Sequence, residues 1–133
     1  MYHPIKESDM LDLAAYQDEL RKTPVLRYLF LEFTDRCNLN CIHCGSKCTE
    51  NNRTYLEYSI IEKTLSRVAD KYNPAEIMIC ITGGEPFLHP DVYRIIQFSR
   101  NLGFSVGITS NGTLIGTKQA KALKQTGLNT IAI

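Results

Sequence analysis

The sequence predicts an α/β domain built on a parallel sheet, and three observations carry that prediction. From residue 27 onward, short β-branched or aromatic runs alternate with longer amphipathic stretches, the pattern of repeated βα units. Three loops rich in cysteine, glycine or asparagine each follow one of the short runs, where parallel βα folds collect their ligand-binding loops. The chain has 133 residues, 44% of them hydrophobic, enough for one domain with a sizeable core.

Ahead of the sheet, residues 8–22 read as a helix with Ser8 as its cap, Leu13, Tyr16 and Leu20 on one side, and Pro24 beyond its end. Residues 1–24 are therefore expected to form a helical extension that packs and does no chemistry. The first strand covers 27–34. Its helix is marked by Ser59-x-x-Glu62, a capping-box pattern, with Ile61, Leu65, Val68 and Tyr72 at helical spacing. The second strand covers 76–82, and the next helix runs from Pro90 through Val92, Ile95, Ile96 and Ser99 to a stop at Gly103. A third strand spans 104–109. The helix over 117–125 turns Ala120 and Leu123 inward and ends at Gly127, and 129–133 read as a fourth strand. A parallel strand at a chain end leaves its edge unpaired, so a longer protein is expected, an open four-stranded sheet being the alternative.

Composition narrows the function. The net charge is +1 with no basic block behind it, which gives no electrostatic support for binding nucleic acid or a membrane surface. The amino terminus lacks an apolar signal region, and no apolar run approaches the roughly twenty residues of a membrane span, so the expected location is cytoplasmic. Five cysteines, four of them between Cys37 and Cys48, suit metal or cluster ligation in a reducing compartment better than a disulfide framework. Cys80 stands apart among Ile77, Met78, Ile79 and Ile81 and reads as a small buried strand residue.

The chemistry concentrates in Cys37-Asn38-Leu39-Asn40-Cys41-Ile42-His43-Cys44. Three thiolates on a short loop can hold an iron–sulfur cluster and leave one iron open to a small molecule. Zinc is the competing occupant, but structural zinc favours closed four-ligand sites built from separated pairs. Cys48 completes a Cys-x3-Cys-x2-Cys-x3-Cys run and, as a fourth ligand, would close the iron and favour a ferredoxin-like electron carrier or metal-binding module. In the second loop Gly83 and Gly84 permit positive φ and close backbone approach to a ligand, or mark a simple turn. In the third, Ser110 and Asn111 offer a hydroxyl and an amide, although Asn111-Gly112 is also a common turn pair.

The spacing of Cys37, Cys41 and Cys44 resembles the signature of the radical S-adenosylmethionine (radical SAM) enzymes. Ile79-Cys80-Ile81-Thr82-Gly83-Gly84-Glu85-Pro86 is similar to that family's strand and GGEP loop, and Gly107-Ile108-Thr109-Ser110-Asn111-Gly112 to its third-strand ending. The resemblance implies a partial TIM barrel of six βα units, with residues 25–133 its first half and first four strands. It implies a 4Fe-4S cluster on Cys37, Cys41 and Cys44, with Cys48 not a ligand. S-adenosyl-L-methionine would lie with its adenine near His43 and its amino group at the loop of Gly83, Gly84, Glu85 and Pro86, Glu85 supplying the matching anion. Ser110 and Asn111 would meet its ribose hydroxyls or carboxylate. Reductive cleavage then gives methionine and a 5'-deoxyadenosyl radical that abstracts hydrogen, with no catalytic side chain needed for that step. A reductant such as flavodoxin or ferredoxin is implied. The segment Phe33-Thr34-Asp35-Arg36-Cys37-Asn38-Leu39-Asn40-Cys41 looks most like the SPASM and related branches, which implies a peptide or peptide-derived substrate and a cysteine-rich auxiliary domain; small-molecule members share the spacing. An isolated piece of this length could also be catalytically silent.

Overall fold

The computed structural model describes residues 6–133; the first five residues of the expected extension lie outside them. The elements follow in the order α1 (Glu7–Lys22), β1 (Tyr28–Glu32), α2 (Tyr58–Lys71), β2 (Met78–Thr82), α3 (Val92–Asn101), β3 (Ser105–Thr109), α4 (Thr117–Thr126) and β4 (Thr130–Ala132). Single 3-10 turns at Pro74–Glu76 and Pro86–Leu88 bracket β2. All four strands are parallel and lie in sequence order, with Phe30 opposite Cys80, Cys80 opposite Gly107, and Gly107 opposite Thr130. The parallel α/β architecture expected from the alternation of runs is the observed one.

Strand alternation sorts the side chains. Leu31, Ile79, Ile81, Val106 and Ile108 point to one face and join Ile61, Leu65, Ile95, Ile96 and Leu123 of the covering helices in a single core. Each such aliphatic side chain, fully buried, contributes about 1.5–3 kcal/mol. Tyr28 and Phe30 point to the other face, where they are 62% and 67% exposed. Helices therefore cover one side only, and the carboxyl ends of β1, β2 and β3, at Glu32, Thr82 and Thr109, share one rim of the sheet. Cys80 accords with a strand position, half-buried and with burial raising its thiol pKa.

Several local expectations need correction. Ser8 is inside α1, whose cap is Lys6, with the Lys6 N–H donating to the Asp9 carboxylate at 3.0 Å. Among the described residues, α1 buries no side chain. Ser59 caps nothing: α2 starts at Tyr58, because Glu62 accepts from the Tyr58 hydroxyl at 3.3 Å and Arg94 stacks on the Tyr58 ring at 3.6 Å, holding Tyr58 in the first turn. Tyr72 follows the last residue of α2 and is exposed. Pro90 precedes α3, which begins at Val92; the Asp91 N–H bonds His89 Nδ1, so the chain turns there before the helix starts. In α4 the inward face runs through Gln119, Ala122 and Leu123, leaving Ala120 exposed. Gly127 ends that helix in the left-handed region at φ 78, as glycine there allows.

Candidate cluster and cofactor site

The long connection after β1 returns to the sheet before α2 and forms the site's first wall. Its two limbs are tied by backbone bonds, from Leu56 N–H to the Phe33 carbonyl at 2.8 Å and from Asp35 N–H to the Thr54 carbonyl at 3.2 Å. Side chains add to this: the Thr34 hydroxyl donates to the Thr54 carbonyl, and the Thr54 N–H to the Asp35 carboxylate at 2.9 Å. His89, 2% exposed, braces the return limb through an Nε2–H donated to the Leu56 carbonyl at 2.9 Å, its Nδ1 being occupied by the Asp91 N–H. Between these limbs the cysteines are held outward, Cys41 exposed and Cys37 and Cys44 half-buried.

The loop after β2 lies directly against this wall. Gly84 N–H donates to the Thr34 carbonyl and Glu85 N–H to the Arg36 carbonyl, both at 2.8 Å. A Cβ on Gly83, where φ is 116, would stand 2.5 Å from the Thr34 carbonyl oxygen, and one on Gly84 would collide with the Arg36 carbonyl. The close approach these glycines permit is thus to the chain's own backbone, which leaves their other side facing the cysteines.

The third loop is locked to the second through a buried carboxylate. Glu85 is wholly buried; it accepts from the Ser110 hydroxyl and the Asn111 N–H, each at 2.8 Å, and from the Phe87 N–H at 3.2 Å. Ser110 is itself buried, and its oxygen also accepts from the Gly112 N–H at 3.0 Å. Both side chains satisfy one another and the backbone, the arrangement a buried polar group requires.

What faces the loops is one cavity of about 250 Å3. Cys37, Cys41, Cys44 and His43 line it from the first loop, Gly83 and Gly84 from the second, and Asn111 from the third. Of the ten residues singled out in the sequence, these seven meet there, while Glu85, Pro86 and Ser110 stand buried behind the wall. Leu39 and Cys48 also reach the cavity. Sequence patterns passed over Asn38, Thr113 and His89, whose partners lie 75, 75 and 33 residues away, distances that no local periodicity encodes.

Electrostatics separates the fourth thiol from the third. Hydrogen bonds from the Cys48, Ser46 and Lys47 backbone N–H groups lower the Cys44 pKa. Burial, then the neighbouring Cys44 and Cys37, raises that of Cys48. Thiolate is the ligating form, and the two thiols differ in how readily they reach it. Among the described residues no three His, Cys, Asp or Glu side chains gather closely enough for a single metal ion. The donor set present, the thiols of Cys37, Cys41, Cys44 and Cys48 around a shared cavity with the Asn111 amide beside them, fits an iron–sulfur cluster.

A parallel α/β sheet with a thiol-lined cavity at its strand ends defines the class, a βα protein with its candidate site at the strand ends. The chain belongs to the radical SAM superfamily, whose model matches residues 31–133. It is 35% identical over 107 residues to a Pyrococcus furiosus tungsten-containing aldehyde ferredoxin oxidoreductase cofactor-modifying protein, covering 80% of this chain and 30% of that one. A probable GTP 3',8-cyclase of Methanothermobacter thermautotrophicus is 38% identical over 106 residues, covering 79% and 33%. The crystal structure of BtrN in complex with AdoMet and 2-DOIA shares the fold with a TM-score of 0.69 at 15% identity, over 80% of this chain and 44% of that one. The chain spans about a third of the length of these curated relatives. The family carries with it a 4Fe-4S cluster and S-adenosylmethionine as cofactors.

Proposed function

We propose that residues 25–133 form the cluster-bearing first half of a radical SAM barrel, in which Cys37, Cys41 and Cys44 ligate the cluster and S-adenosylmethionine sits between the three loops. The observation that carries this reading is the convergence of three thiols, the Gly83-Gly84 backbone and Asn111 on one cavity. When bound, the cluster and cofactor supply one-electron reductive cleavage of a carbon–sulfur bond and, from it, hydrogen abstraction from an unreactive carbon.

The chain's own groups bind and orient. Cys37, Cys41 and Cys44 would hold the cluster, with the more buried Cys48 left outside the ligand set. Main-chain carbonyls of the Gly83-Gly84 loop would accept from the cofactor's ammonium, and His43, exposed on the cysteine loop, would offer a flat ring to the adenine. Asn111 closes the third side. Glu85, Ser110 and Pro86 shape that wall from behind, since none reaches the cavity. The electron comes from a flavodoxin- or ferredoxin-type reductant.

The substrate reading is a peptide or peptide-derived molecule, supported by the sequence from Phe33 to Cys41. Relatives named for a GTP 3',8-cyclase and for cofactor modification match the chain over 106 and 107 residues, so the substrate class is a proposal that rests on that segment alone. No helix of the described residues is long and apolar enough to cross a membrane.

Anaerobic reconstitution tests this reading. About four iron and four sulfide per chain are expected, together with saturable binding of S-adenosylmethionine in equilibrium dialysis. A fully loaded cluster with no affinity for the cofactor overturns it.

A further inference from the structure

The side chain of Asn111 does more than line the cavity. Its Oδ1 accepts from both the Thr113 N–H at 3.0 Å and the Thr113 hydroxyl at 2.6 Å. The amide orientation follows from these two donors, because a carboxamide turned the other way would set its NH2 against them. Its Nδ2 therefore faces the cysteine loop, where it donates to Asn38 Oδ1 at 2.9 Å and lies 3.9 Å from Cys37 Sγ, within hydrogen-bonding range of sulfur. Asn38 closes the circuit by donating its own Nδ2–H to the Thr113 hydroxyl oxygen at 2.8 Å. Asn38, Thr113 and Asn111 thus close a ring of three side-chain hydrogen bonds. One N–H of Asn111 closes the ring and the second is free for Cys37. Buried Glu85 holds the Asn111 main chain at 2.8 Å, so the whole assembly is anchored to the sheet.

We propose that the Asn111 amide, held by Asn38 and Thr113, donates a hydrogen bond to the Cys37 sulfur and thereby sets the reduction potential of the cluster. Hydrogen bonds to cluster sulfurs stabilise the more negative, reduced state and raise the potential. Asn38 and Thr113 are positioning residues, acting only through Asn111. The inference rests on the proposed cluster ligation by Cys37 and deepens it: the third loop senses and tunes the centre that the first loop holds.

The test is an anaerobic redox titration of the reconstituted chain, followed by electron paramagnetic resonance without S-adenosylmethionine, so that cofactor affinity does not enter. Asn111→Ala is expected to move the midpoint potential to more negative values at unchanged iron content. Thr113→Val, at an exposed position and without the hydroxyl, is expected to move it the same way by less. An unchanged potential in Asn111→Ala overturns the proposal. Native protein carrying side-chain 15N-asparagine supplies an arm free of folding risk: pulsed resonance of the reduced cluster should show a nitrogen coupling that Asn111 substitution removes, and its absence in the native protein overturns the proposal as well. Failure of the native chain to bind any cluster would instead overturn the ligation on which the proposal rests, a result distinguishable from either of these.

Discussion

Cys41 and Glu85 stand in loops that leave neighbouring strands at the same rim of the sheet, yet the loops are built in opposite ways. Cys41 is exposed and its thiol bonds nothing among the described residues, whereas Glu85 is wholly buried with three donors on its carboxylate. The contrast separates two tasks of a binding site. On the proposed reading the cysteine loop keeps its reactive atoms free for a group that arrives after folding. The loop after β2 commits its polar side chain to the protein, which on the same reading leaves its backbone edge for a ligand. Rigidity on one side lets the other remain open.

The sharpest way to break this comparison is to remove an exposed thiol. Cys41→Ala should abolish iron and sulfide binding while leaving the circular dichroism spectrum unchanged, and Cys48→Ala should retain the cluster; loss of the cluster in both would erase the distinction between open and buried thiols. The largest cost to folding should fall on the opposite loop. Gly84→Ala drives a Cβ into the Arg36 carbonyl and is expected to destabilise by about 3 kcal/mol in a denaturant titration. Glu85→Gln should cost somewhat less, about 1–3 kcal/mol, since either orientation of the new amide sets an NH2 against at least one existing donor. A variant as stable as the parent would show that the carboxylate is not the tie between the loops.

The smallest effect is a difference in thiol titration. Backbone N–H donors lower the Cys44 pKa and burial raises that of Cys48. As pH increases, the Cys44 thiolate therefore forms first, and in cluster-free protein its alkylation should reach half its limiting rate at a lower pH than that of Cys48. Peptide mapping after iodoacetamide treatment measures both, and coincident profiles would contradict the assignment of different environments.

The fold was legible because β-branched runs and helix faces are local patterns: β2 and β3 fall within two residues of their expected limits, and Gly127 caps α4 as anticipated. Helix starts were read less well. Tyr58 and Val92 begin their helices through contacts with Arg94 and His89, neither of which is implied by the residues at the cap itself. At the site, spacing identified the residues that meet in the cavity. It did not distinguish those facing it from those behind it, because the inward turn of Glu85 depends on Ser110 and on the backbone of Asn111, 25 and 26 residues further on. The ring of Asn38, Thr113 and Asn111 was invisible for the same reason, being closed only when the first and third loops come together.

The central claim, a cluster with one iron open to S-adenosylmethionine, is tested most directly by electron paramagnetic resonance of the reduced, reconstituted chain with and without that molecule. A four-iron signal whose g-values shift when the cofactor is added is the expected result. A cluster signal indifferent to it would contradict the account and point to a closed electron-transfer centre.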